Sequence, residues 1–222
     1  MELNADFTRR AAVHAAQLAW TPSPMAGVER RMLDRIGDEV ARATSIVRYA
    51  PHSQFSPHTH GGGEEFLVLE GVFQDERGDY PAGCYVRNPP TSRHAPGSES
   101  GCIIFVKLWQ FDLADRVQVQ VDTKSQPFLP APGRRGVEVL PLFEHAREMV
   151  RLERWAPDSA IELHAPGGIE LLVLEGSFLE GHETFSPQSW LRLPPGTDLQ
   201  CKAGSQGAKV WFKSSHLTDV NR

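Results

Sequence analysis

The chain has 222 residues, a formal net charge of −5, seventeen prolines and nineteen glycines. This length suits one large domain or two small ones with a core that needs no disulfides. The mild acidity without any basic run excludes a nucleic-acid binder, and no apolar stretch approaches a membrane span.

Taken in chain order, the start Met-Glu-Leu-Asn-Ala-Asp has no basic segment followed by an apolar one, so no signal peptide is read there. Asp6 to Trp20 reads as a short N-terminal helix, rich in alanine and capped by Asp6 or Thr8. Thr-Pro-Ser-Pro at 21–24 stops it. The body that follows reads as all-β. Ala43–Tyr49, Glu65–Glu70, Cys84–Arg87 and Gly101–Phe111 are short apolar or alternating runs set between Gly/Pro turns. Cys84, Cys102 and Cys201 form no Cys-x-x-Cys pair, so neither a zinc ribbon nor a redox dithiol is encoded. Reduced thiols fit a cytoplasmic protein, and Cys84 and Cys102 read as small buried hydrophobes.

Between the first two of these strands lies His58-Thr-His60-Gly-Gly-Gly-Glu64, with His94 beyond the third. His58 and His60, two apart on a strand, leave the same face. The three glycines let the backbone turn tightly. Three imidazoles and a carboxylate form a borderline-soft N/O donor set for one divalent transition metal, suited to zinc, iron, manganese, nickel or copper. Glu65 has the wrong parity to join them and reads as an outward or rim residue. Phe66 and Val68 share the parity of Glu64 and fit a pocket wall or ordinary core equally well. Arg87 and Lys107 read as outward charges on half-exposed strands. His14 reads as a solvated residue of the N-terminal helix.

The chain repeats itself. Arg48-Tyr-Ala-Pro51 recurs as Arg154-Trp-Ala-Pro157, Leu67-Val-Leu-Glu-Gly71 as Leu172-Val-Leu-Glu-Gly176, and Phe105-Val-Lys107 as Trp211-Phe-Lys213. The same order at a nearly constant offset marks an internal duplication. Four segments are predicted: the helix over 1–20, a metal-binding domain over 21–121, a proline-bearing linker over 122–135, and a second domain over 136–222. In the second copy Leu199 stands at the place of His94 and Ile169 at that of Glu64. Only Glu162, His164 and Glu170 remain there as possible ligands, and that copy is expected to be metal-free.

His58-x-His60, Glu64 four residues on and Gly71 beyond it resemble the first signature of the cupin superfamily. Pro89-Pro-Thr-Ser-Arg-His94 resembles the second, with Thr91 where glycine is usual. Residues 18–112, through words such as Thr44-Ser-Ile-Val-Arg-Tyr-Ala-Pro and Arg87-Asn-Pro-Pro, are similar to the cupin domain of ChrR-type anti-sigma factors. Residues 136–214 carry the same likeness in degenerate form. The resemblance implies two tandem jelly-roll barrels, a bicupin, with zinc held by His58, His60, Glu64 and His94. It implies a regulatory module tied to oxidative stress. That family's N-terminal zinc domain, which grips the sigma factor, has no counterpart in the residues before Cys84, so a sigma-factor partner is not expected. The alternative is a metal-dependent dioxygenase of small dicarbonyl-like compounds; an isomerase or plain ligand-binding cupin is a weaker third. A small-molecule ligand is the expected partner, and sheet edges make a homodimer plausible.

Overall fold

The computed structural model describes residues 1–38, 40–218 and 220. The chain folds as two compact units. The first comprises Met1–Ala5 and Leu18–Ser125; the second comprises Asp6–Gln17 and the chain from Gln126 onward. Both are built from antiparallel strands, as the short apolar runs and Gly/Pro punctuation imply. No described helix is long and apolar enough to cross a membrane.

In the first unit the main sheet runs, in spatial order, Glu2–Leu3, Val28–Gly37, Ala41–Tyr49, Cys102–Leu108, Glu64–Asp75, Cys84–Asn88 and Val119–Asp122. The strand Glu64–Asp75 is long enough to serve both faces of the barrel. Its first half pairs with Cys102–Leu108 and Cys84–Asn88. Its second half pairs with Gly78–Pro81 and with Gly97–Ser98, which in turn pairs with Ser53–Gln54. The change of partner falls at Gly71, where φ is +70° and an added Cβ would strike the carbonyl oxygen of Gly101. Only glycine fits that bend, and Gly176 repeats it in the second unit at φ +68°. Phe66, Val68, Phe73, Tyr80, Val86, Ile104 and Val106 pack the interior.

The second unit orders Leu129–Pro130, Val137–His145, Glu148–Trp155, Leu199–Ser214, Ile169–Glu180, Ser189–Leu193 and Ala11–His14. Residues 6–20 are therefore not a helix. Ala11–His14 is an edge strand and Ala15–Gln17 a single turn of 3-10 helix. A short alanine-rich helix is marginal by itself, and the open edge of Ser189–Leu193 supplies backbone partners that outweigh helix propensity. His14 is correspondingly not solvated on a helix: its ring meets Ser189 and Glu183, each at 2.9 Å.

The two edges are closed alike. Val119 lies opposite Arg87 in the first unit and Ala11 opposite Arg192 in the second. In each repeat the segment just before the barrel thus supplies the edge strand of the other unit.

Candidate metal centre

A two-stranded ribbon places the first ligand pair. His58–Thr59 and Arg93–His94 run antiparallel, with His58 directly opposite His94. The next residue, His60, donates its N–H to the Ser92 carbonyl and accepts from the Thr91 N–H, each at 2.9 Å. The two signature loops are thereby zipped together, and three imidazoles converge. Their ring centroids lie 4.7–5.2 Å apart, and one nitrogen from each falls within 4.8 Å of the others. The Nε2 atoms of His60 and His94 are 2.9 Å apart. Glu64 Oε2 lies 3.5 Å from the first and 3.6 Å from the second. His60, Glu64 and His94 are buried, while His58 is exposed at the mouth. Donor atoms this close together suit a divalent cation, and the three histidines can hold one.

A second layer orients these groups. Asp75 Oδ2 lies 3.2 Å from His94 Nδ1, so that ring turns Nε2 toward the other imidazoles. Asp75 also accepts from the Tyr80 hydroxyl at 3.1 Å and the Arg77 N–H at 2.8 Å. Asn88 donates to Glu64 Oε2 at 3.1 Å. Sequence reasoning passed over Asp75, Tyr80 and Asn88. Burial lowers the His60 pKa below the usual value, keeping that ring neutral. Burial pulls His94 the same way, but its hydrogen bond to Asp75 and the surrounding carboxylates outweigh this and raise it. Asp75 is held below the usual carboxylate range because its hydrogen bonds outweigh its burial.

The glycine run has a further use. Trp109 and Phe111 lie on it so closely that a Cβ at Gly62 or Gly63 would collide with their rings. The backbone returns the contact, with Trp109 N–H bonded to the Gly63 carbonyl at 3.1 Å. Thr91, the departure from the second signature, adopts φ +75°, close to the +78° of Gly196 in the second copy. The turn keeps its geometry with a β-branched residue in a left-handed conformation.

The second copy carries none of this donor set. Leu163 pairs with Leu199 as His58 pairs with His94. Ala165 accepts from Gly196 as His60 accepts from Thr91. Ile169 lies opposite Leu193 as Glu64 lies opposite Asn88. Four apolar side chains thus replace four donors, and Ala165, Ile169 and Leu199 belong to a continuous apolar core. His164 is one residue out of step with His60; its ring is exposed and meets Asp198 at 2.8 Å. Glu162 is exposed, and Glu170 meets His216 at 2.7 Å.

Three residues read as outward face away from the interior as expected, but their expected exposure needs correction. Glu65, Arg87 and Lys107 are 2%, 1% and 0% exposed. Glu65 lies between the other two across three neighbouring strands. It accepts from Tyr85 Oη at 2.9 Å, Lys107 donates to Thr44 at 3.0 Å, and Arg87 bonds Asp115 at 2.5 Å while lying over the Phe111 ring. The face opposite the barrel interior is covered by the chain after Leu108, so charges there are buried and partnered. Glu170, Arg192 and Lys213 repeat the arrangement, also buried. All three cysteines are buried; desolvation pushes Cys102 up to about 11 and Cys201 up to about 12, which leaves inert thiols.

This is the fold of the cupins, jelly-roll barrels with the donor cluster in the first. Residues 8–112 match the family described as the ChrR Cupin-like domain. The match spans just under half of the chain, and beyond it the likeness to cupins is one of fold. It is similar to a candidate dioxygenase from Nostoc punctiforme at 15% identity, covering 96% of this chain and 85% of that chain with a TM-score of 0.79. It is similar to a candidate glyoxylate-induced protein from Pseudomonas aeruginosa at 14% identity, 96% and 90% coverage and a TM-score of 0.72. The bacterial pirin YhhW from Escherichia coli, solved with nickel(II), gives 16% identity, 93% and 99% coverage and a TM-score of 0.65. At these identities the likeness is one of fold. No curated protein gives a significant match.

Proposed function

We propose that the first unit holds one divalent transition metal through His58, His60, His94 and Glu64, and that the protein is a ChrR-like regulatory metalloprotein of oxidative stress. The observation that carries the metal site is the convergence of three imidazoles and a carboxylate in one copy, against Leu163, Ala165, Ile169 and Leu199 in the other. Zinc is the favoured metal on the strength of the ChrR-type likeness, since the donor set by itself suits iron, manganese and nickel as well. When bound, the metal supplies a Lewis-acidic centre at which a small ligand or oxidant can be received. The chain's own residues do the rest. Asp75 sets the orientation of His94, Asn88 holds Glu64, and the apolar lining of Phe66, Phe73, Val86 and Val106 keeps the interior dry. His58, exposed at the mouth, is the donor that an incoming molecule meets first.

A second reading is a metal-dependent dioxygenase of small dicarbonyl-like compounds. It is favoured by the overall likeness to the Nostoc candidate dioxygenase and by the apolar lining. Arg87 and Lys107 are engaged outside the barrel, while the described interior cluster is apolar. A neutral chelating substrate suits the interior better than an anion.

The test is elemental mass spectrometry on untagged protein expressed without added metal. About one zinc per chain supports the regulatory reading. About one iron, with oxygen consumed on addition of a dicarbonyl, supports the enzyme. Protein that neither carries metal nor takes up added Zn²⁺, Fe²⁺ or Ni²⁺ overturns both.

A further inference from the structure

The duplication supplies an internal control that marks more of the site than its four donors. At equivalent registers, the polar groups lost in the second copy separate from those kept. Glu65, Arg87 and Lys107 persist as Glu170, Arg192 and Lys213, still buried. They serve the fold in both copies. Asn88 becomes Leu193, opposite Ile169. Tyr80, opposite Phe73, becomes Phe185, opposite Phe178. Asp75, at the end of its strand, becomes Glu180, which is turned to Arg10 at 2.6 Å. Two of these polar groups vanish and the third, a carboxylate, is redirected to Arg10, together with the loss of the four donors.

We infer that Asp75, Tyr80 and Asn88 are positioning residues of the metal centre, an inference that rests on the metal reading above. Asp75 accepts from His94 Nδ1–H and so presents the Nε2 lone pair to the site. Tyr80 fixes the Asp75 carboxylate through its hydroxyl, and Asn88 fixes Glu64. Phe185 is fully buried in the second unit's core, so a phenyl ring at this register is compatible with the fold. Tyr80→Phe therefore removes one hydroxyl without disturbing the packing.

The experiment uses the full chain, stripped of metal and titrated with Ni²⁺ by calorimetry and with Co²⁺ by visible absorption. Asp75→Asn is expected to weaken Ni²⁺ binding about 10–100-fold and to shift the Co²⁺ ligand-field bands. Asp75→Glu should recover part of the affinity. Tyr80→Phe and Asn88→Leu should shift the same bands while the thermal midpoint of the metal-free protein stays near the parent's. Glu180→Gln, at the counterpart position, should change neither. Parental affinity and an unchanged Co²⁺ spectrum in Asp75→Asn and Tyr80→Phe would overturn the inference alone. A parent chain that binds neither ion would overturn the metal reading on which it stands.

Discussion

His58, His60, Glu64 and His94 were legible because two short motifs carry them at spacings that a barrel brings together. Their supporting residues were not, since Asp75 and Tyr80 look like ordinary turn and core residues until the register is known. Asn88 did leave a trace: Arg-Asn-Pro-Pro in one copy against Arg-Leu-Pro-Pro in the other. His60→Ala or His94→Ala should lower metal content from about one per chain to near zero with the fold retained, read by elemental analysis beside circular dichroism. Full occupancy in either variant would remove that residue from the site. Thr91→Gly should stabilise the protein by about 1 kcal/mol, because the left-handed strain of a β-branched residue exceeds the added freedom of glycine in the unfolded chain. Urea unfolding measures this. The pH dependence follows from His94. Its pKa in the metal-free protein is raised above 6.5, and a metal needs the neutral ring, so proton and metal compete. Affinity should fall as pH drops through that raised value, and binding should release a proton, measurable by calorimetry in buffers of different ionisation enthalpy.

At the scale of elements, the strand pattern was readable and residues 6–20 were misread. Alternation and Gly/Pro punctuation identify strands locally, whereas Ala11–His14 is a strand only because an edge 180 residues away accepts it. The same distance explains the error over Arg87 and Lys107: strand parity indicates a face but not what later covers that face. In the second copy His164, kept as a possible ligand, is one residue out of step with His60. Counting back from Gly176 by the interval between Gly71 and His60 gives Ala165 instead. Gly71 is the element-scale test. Gly71→Ala would place a Cβ against the Gly101 carbonyl in a left-handed conformation, and should cost more than about 2 kcal/mol in a denaturant titration. A smaller loss would mean that the bend can shift to another residue.

At the scale of the molecule, the duplication was visible in the sequence, but the path of the chain between the units was not. Segment 6–17 belongs to the second unit and segment 114–125 to the first. A fragment of residues 126–222 consequently lacks an edge strand and leaves the backbone of Ser189–Leu193 open. It should be insoluble alone, soluble when co-expressed with residues 1–125, and insoluble again with residues 18–125. Equal solubility in all three cases would show that Ala11–His14 is dispensable.

The same path sets a clock during synthesis. The first unit has all its strands once Ser125 has left the ribosome, but Ala11–His14 then has no partner until Ser189–Leu193 is made. At translation rates of about 5–20 residues per second, Ala11–His14 waits on the order of 3–14 s after Ser125 is made for Ser189–Leu193 to be completed. Throughout that interval its unpaired backbone is a template for a neighbouring nascent chain, so polysome spacing and chaperone supply, rather than the stability of the finished barrels, should govern how much protein a cell recovers.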